Sequence, residues 1–195
     1  MDVLHNGNIL VDSNFLSIEE SQLLTKWFET FNYNDLVPHD YDFWHKRLIR
    51  RDQTTQQDGY ENSFDEITNL IDTLRIRLIN TLKSFENKNW DLSEFNFIKM
   101  WNGSHPFPER KNKDLEMFYH TDNQESNGYK KEVFWGAVIY PNDNYLGGEL
   151  SYPNYNFYYK PSAGSLVLHT GNTRHGVLSV KNGTRFSIAS TITEG

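Results

Sequence analysis

Two segments of the chain carry apolar residues at helical spacing. After Phe15-Leu16, the residues Leu23, Leu24, Trp27, Phe28 and Phe31 recur on one helix face, and Ser17 with Glu20 three residues on has the form of a capping box. Ser63 and Glu66 have the same form ahead of a longer stripe, Ile67, Leu70, Ile71, Leu74, Leu78, Leu82 and Phe85. Both helices are expected to support a sheet with their apolar faces. From about residue 90 the texture changes to short runs of β-branched and aromatic residues divided by turn signals. Strands are expected near 95–101, 116–122, 132–140, 148–152, 156–160, 164–169, 176–180 and 184–192, with breaks at Asn-Gly, Pro-Asn-Asp-Asn, Gly-Gly, Pro-Ser-Ala-Gly and Lys-Asn-Gly. That order predicts an α+β chain, mainly β, in which a sandwich or barrel follows the two helices. Residues 34–61 and 102–115 fit neither element; a lid or binding loop and a solvated excursion account for them equally well.

Composition narrows the class. The 195 residues are 37% hydrophobic and 23% charged, with no internal repeat or Pro/Gly/Ser-rich linker, which predicts one domain over 1–195. There is no Cys, so a disulfide framework, a zinc ribbon and a cysteine nucleophile are excluded. The net charge of −7 argues against binding to phosphate backbones, and nucleic acid is not an expected partner. The start of the sequence has neither a basic stretch nor an apolar h-region, and no apolar run is long enough to span a bilayer. The expectation is a soluble, cytoplasmic protein with no membrane contact.

The candidate chemistry begins at His120-Thr121-Asp122. On a strand, residues two apart project to the same face, so the imidazole and the carboxylate point together. They supply two ligands of a metal site, and one further His completes a 2-His-1-carboxylate facial triad with open positions for co-substrate and dioxygen. Alone, His-x-Asp is a weak signal that most often marks incidental residues. His175, in Asn172-Thr173-Arg174-His175-Gly176, is the third candidate, and His169 competes with it. Arg185, Ser187, Ala189 and Thr191 share one face of the last strand. That face is either solvent-exposed or turned inward, and a buried guanidinium then needs an anionic partner such as a dicarboxylate. His5, His39, His45 and His105 have no partners at ligand spacing and are read as surface or loop residues. Lys46, Arg47, Arg50 and Arg51 beside Phe43 and Trp44 form a basic-aromatic cluster, read as a strand edge or groove wall rather than a nucleic-acid site.

Taken together, these pieces resemble the prolyl 4-hydroxylase-like 2-oxoglutarate/Fe(II) dioxygenases. His120-x-Asp122, His175 and Arg185 match the family's site pattern, and Phe15-Leu16-Ser17-Ile18-Glu19-Glu20 resembles the opening of its first helix. Ile139-Tyr140-Pro141-Asn142 with Gly147-Gly148-Glu149-Leu150, and Lys160-Pro161-Ser162-Ala163-Gly164-Ser165-Leu166, resemble its tyrosine-bearing strand and the approach to its distal His. The resemblance, over residues 15 to 193, implies a double-stranded β-helix (jelly-roll) with N-terminal supporting helices. It implies Fe(II) held by His120, Asp122 and His175, and 2-oxoglutarate held by Arg185 with Tyr140 and, with less weight, Ser187. His169 is then left with a hydrogen-bonding role at a strand end. O2 is the implied co-substrate and ascorbate a further candidate. The implied reaction is hydroxylation of a C–H bond, with a prolyl residue of a peptide or protein as the first substrate class. A free amino acid, another small molecule or a nucleobase is the alternative, and a non-catalytic metal-binding jelly-roll the third reading. Trp101 stands where many relatives carry Tyr, and the 102–115 stretch exceeds the usual linker. Trp101, Tyr152 and Arg174 are the candidates for the substrate pocket, and the absence of Cys leaves no thiol for an oxygen-handling site to oxidise.

Overall fold

Alternation along the strands sorts the apolar residues to two sides of one large sheet, and this sorting positions the site. The computed structural model describes residues 1–30, 64–93, 95–101, 119–123 and 132–195, with 46–47 and 64–65 given by backbone alone. In chain order the elements are β1 (Asp2–Leu4), β2 (Ile9–Asp12), α1 (Ile18–Glu29), β3 (Lys46–Arg47), α2 (Phe64–Phe85), β4 (Trp90–Leu92) and β5 (Asn96–Trp101). They continue with β6 (Trp135–Tyr140), β7 (Leu146–Gly147), β8 (Leu150–Tyr152), β9 (Phe157–Tyr159), β10 (Ser165–Thr170), β11 (Gly176–Val177), β12 (Val180–Asn182) and β13 (Thr184–Glu194).

The main sheet runs β1-β2-β10-β6-β13-β5-β3, with β4 also paired to β13. A smaller sheet, β11-β8-β9, and the pair β12-β7 complete an all-antiparallel jelly-roll. On β6 and β10, Trp135, Ala137, Ile139, Leu166 and Leu168 face the helices, joined there by Phe186, Ile188 and Ile192 of β13. The helix stripes Leu24, Trp27, Phe28 and Ile67, Leu70, Leu74, Leu78, Leu82 meet them, so both helices brace the outer face. The other parity turns inward. Tyr140 and Val167 pack there with Ile9, Val11, Leu150 and Tyr152, between the two sheets.

Ser17 caps α1 through a complete capping box with Glu20. Glu20 also meets Arg77 of α2 at 2.7 Å, and Arg77 donates to the Phe15 carbonyl, also at 2.7 Å, which ties both helices to the chain entering α1. Ser63 and the stretches 34–61 and 102–115 lie outside the described residues, apart from the two-residue β3. That strand ends the main sheet beside β5, so the backbone of Lys46 and Arg47 sits at a sheet edge. Among the described residues no helix is long and apolar enough to cross a membrane.

Several expected strands differ. The 176–180 run divides into β11 and β12, and β6 starts at Trp135 rather than 132. Of 116–122, residues 119–122 are described, and they contribute a single bridge at His120 rather than a strand. β1, β2, β3, β4 and β7 are additional. The first two form a hairpin around His5 and Asn6, whose positive φ values break the extended pattern after three residues.

Candidate metal and co-substrate site

His120 and His175 face each other across one antiparallel bridge. Each backbone N–H donates to the other's carbonyl at 2.9 Å, which fixes the two imidazoles side by side. Asp122 follows two residues later. One nitrogen from each His and one oxygen from Asp122 lie within 4.8 Å of one another. Asp122 Oδ1 is 3.8 Å from His120 Nε2 and 3.9 Å from His175 Nε2. The His175 Nδ1–H donates to the Thr173 carbonyl at 2.9 Å, leaving Nε2 unprotonated toward the cluster.

Burial, with His169 close by, pushes the His175 imidazole down to about 3, so it is neutral at ordinary pH. Burial acts against the Asp122 charge, but the hydrogen bond from His169 and the surrounding imidazoles outweigh it and hold the carboxyl below its usual range. Two imidazole nitrogens and a carboxylate are a donor set suited to Fe(II) with open positions. The residues fit the ion.

A second cluster sits on β13 and β6. Arg185 is 2% exposed, with Nη1 donating to Ser187 Oγ and Nη2 to Tyr140 Oη, both at 3.0 Å, and Nη1 reaching Met100 Sδ at 3.4 Å. No carboxylate stands within ion-pair distance of it among the described residues. Burial raises the phenols of Tyr140 and Tyr145, so both keep their protons. Arg185 Nε and Tyr145 Oη are buried without a hydrogen bond among the described residues. The Tyr140 and Ser187 hydroxyls accept from the guanidinium, so their own protons remain for another acceptor. The corner is a surplus of donors around a buried cation, and an anionic oxygen pair is what completes it. Gly148, at φ +69°, lets the turn after β7 pass close to the Arg185 stem, where a Cβ would stand 3.0 Å from Cδ.

Both clusters open into one cavity of about 260 Å³. His120, Asp122, His175, Arg185 and Ser187 line it together with Asn96, Ile98, Ala189 and Thr191. The face of β13 that the sequence left open is therefore turned inward. Sequence reasoning missed Asn142, whose side chain takes the Phe186 N–H at 2.9 Å and donates to the Thr184 carbonyl at 2.8 Å, on either side of Arg185. It also missed Gly136 beneath Asp122, although a glycine amid apolar strand residues is a signal of close approach.

None of the three pocket candidates is among the residues that line this cavity. Asn96 and Ile98 of β5 line the cavity, and parity puts Trp101 on the opposite face, where it packs against the helix-side core. Tyr152 is fully buried behind the histidines, with its hydroxyl 3.4 Å from His169 Nδ1. Arg174 is exposed, its guanidinium 5.7 Å from the Tyr119 ring, and it does not line the cavity. His5 is half-buried and stacks on Tyr155 at 4.5 Å. His39, His45 and His105, with the rest of the basic-aromatic cluster, lie outside the described residues.

No family model matches the sequence, and no curated protein does. Solved structures match over nearly the whole chain. The viral collagen prolyl hydroxylase of Paramecium bursaria Chlorella virus-1, in complex with 2-oxoglutarate, superposes with a TM-score of 0.61 at 14% identity, covering 97% of each chain. This is the prolyl 4-hydroxylase fold. A Pseudomonas putida prolyl 4-hydroxylase gives 0.62 at 18% identity over 96% of this chain and 93% of that one. The prolyl hydroxylase of Trichoplax adhaerens, bound to a peptide of the hypoxia inducible factor oxygen degradation domain, gives 0.61 at 16% identity over 97% and 84%.

Proposed function

We propose that this chain is an Fe(II)- and 2-oxoglutarate-dependent dioxygenase that hydroxylates a C–H bond, with a prolyl residue of a peptide or protein as its substrate. The observation that carries the reading is Arg185: a buried guanidinium without a counter-ion among the described residues, ringed by hydroxyls, in the same cavity as a His-Asp-His cluster. A dicarboxylate that also reaches a metal answers both halves of that cavity.

In this reading His120 Nε2, His175 Nε2 and Asp122 Oδ1 hold Fe(II), and Thr173 orients His175. Arg185 binds the far carboxylate of 2-oxoglutarate, with Tyr140 and Ser187 donating their free hydroxyl protons to it. When bound, the metal and co-substrate supply oxidative decarboxylation of 2-oxoglutarate to succinate and CO2, coupled to hydroxylation of the substrate. The apolar walls at Ile98, Val138 and Leu150 shelter the cavity from bulk water. The peptide substrate is supported by the fold shared with peptide-acting prolyl hydroxylases.

The test is a proline-rich peptide library incubated with the protein, Fe(II), 2-oxoglutarate and air. The expected result is succinate release matched by peptides heavier by one oxygen, with the gain on proline. Succinate formation driven only by free amino acids or other small molecules would contradict the prolyl assignment while keeping the reaction class. No turnover with any of them would count against the reaction class too.

A further inference from the structure

Asp122 presents its two oxygens to different neighbours. Oδ1 stands between His120 Nε2 and His175 Nε2, at 3.8 and 3.9 Å, whereas Oδ2 points away, 3.2 Å from His169 Nε2. His169 is 2% exposed, sits on β10, and stays outside the group of atoms that converge on the metal position. On its other side Nδ1 lies 3.4 Å from the Tyr152 hydroxyl. With the Tyr152 hydroxyl donating to Nδ1, the ring N–H lies on Nε2, aimed at Asp122 Oδ2. The contact needs a gap in the sheet. A Cβ on Gly136 would collide with both Asp122 Oδ2 and His169 Nε2, so the glycine is what lets the pair meet over β6.

Resting on the metal reading above, we propose that His169 is a positioning residue that fixes Asp122 as a one-oxygen ligand. Its Nε2–H occupies Oδ2 and keeps that oxygen from swinging onto the ion. A carboxylate that chelated through both oxygens would take one more coordination position, one that the co-substrate and dioxygen require. The Tyr152–His169–Asp122 chain, with Gly136 beneath it, therefore keeps the site open as well as holding it together.

Co(II) binding by the metal-free protein tests this without turnover. His169→Phe keeps a ring of similar size and removes the donor, and His169→Gln restores an N–H near the Nε2 position. His169→Phe should bind Co(II) about 10- to 100-fold more weakly, as expected when a hydrogen bond behind a ligand is lost. Its Co(II) visible spectrum should shift as the coordination number changes. His169→Gln should return the affinity to within about threefold of the original, with the original spectrum. Gly136→Ala, which blocks the pair without touching either side chain, should reproduce the His169→Phe spectrum. Thermal unfolding of the metal-free variants verifies that each is folded.

Equal affinity and an identical spectrum for folded His169→Phe would overturn this proposal alone. So would equal losses in the Phe and Gln variants, which mark a packing role, or retained binding in His175→Ala, which would make His169 the ligand. Failure of the unsubstituted chain to bind Co(II) would overturn it together with the metal reading.

Discussion

Arg185 holds a full positive charge almost out of reach of water, and its partners among the described residues are two hydroxyls and a thioether. Such a cation costs stability until an anion joins it. Arg185→Met keeps the volume and removes the charge, so the ligand-free variant should unfold at a higher temperature than the original. The same substitution should weaken 2-oxoglutarate binding by about 100-fold or more, since each charge-assisted hydrogen bond is worth roughly 1.5–3 kcal/mol. Calorimetry with and without 2-oxoglutarate reads both effects; a loss of stability in the ligand-free variant would mean that the guanidinium is already satisfied. Tyr140 should matter less. Tyr140→Phe removes one hydroxyl and should cost about tenfold in the same affinity, the low end of the roughly 1.5–3 kcal/mol of a hydrogen bond to a charged group.

At the scale of elements, β13 carries the face proposed to hold the co-substrate, and Asn142 sets its local position. Asn142→Ala strips partners from the Phe186 N–H and the Thr184 carbonyl, and leaving buried groups unpaired costs about 1–3 kcal/mol. Denaturant unfolding should show that loss, accompanied by weaker 2-oxoglutarate binding because Arg185 lies between the two released groups. The helix pair has a different dependence. Arg77 holds the Glu20 carboxyl below its ordinary value, chiefly through their hydrogen bond. Its contribution is then present above the unfolded carboxylate pKa of about 4.3 and fades as pH falls through the lower folded value. Glu20→Gln should therefore destabilise at neutral pH by up to about 1 kcal/mol, given the exposure of Arg77, and by little near the acid end. A constant difference across the pH range would contradict the pairing.

These elements also show how far the sequence reaches. The stripes of α1 and α2 and the alternation on β13 were legible because burial imposes a period on them. The parity of β5 was not, since Phe97, Ile98, Met100 and Trp101 make both faces apolar and nothing local says which one meets the helices. The His120 segment meets His175 through one bridge, a long-range pairing that no window of sequence contains. The hydrogen bond from His169 to Asp122 is hidden for the same reason, because its partners lie 47 residues apart.

For the molecule as a whole, helices brace one face of the main sheet while the opposite face, roofed by β11-β8-β9, gathers a candidate metal-ligand set and an arginine with no carboxylate partner among the described residues into one cavity. The sharing of that cavity by the two clusters is the central functional claim. The most direct measurement is anaerobic titration of the metal-free protein with Fe(II) and then 2-oxoglutarate, followed by visible absorption. A metal-to-ligand charge-transfer band should appear only when both are present. It should vanish in His120→Ala and Asp122→Ala, and in Arg185→Met it should require far more 2-oxoglutarate. A folded, Fe(II)-loaded protein that shows no band at saturating 2-oxoglutarate would contradict the claim.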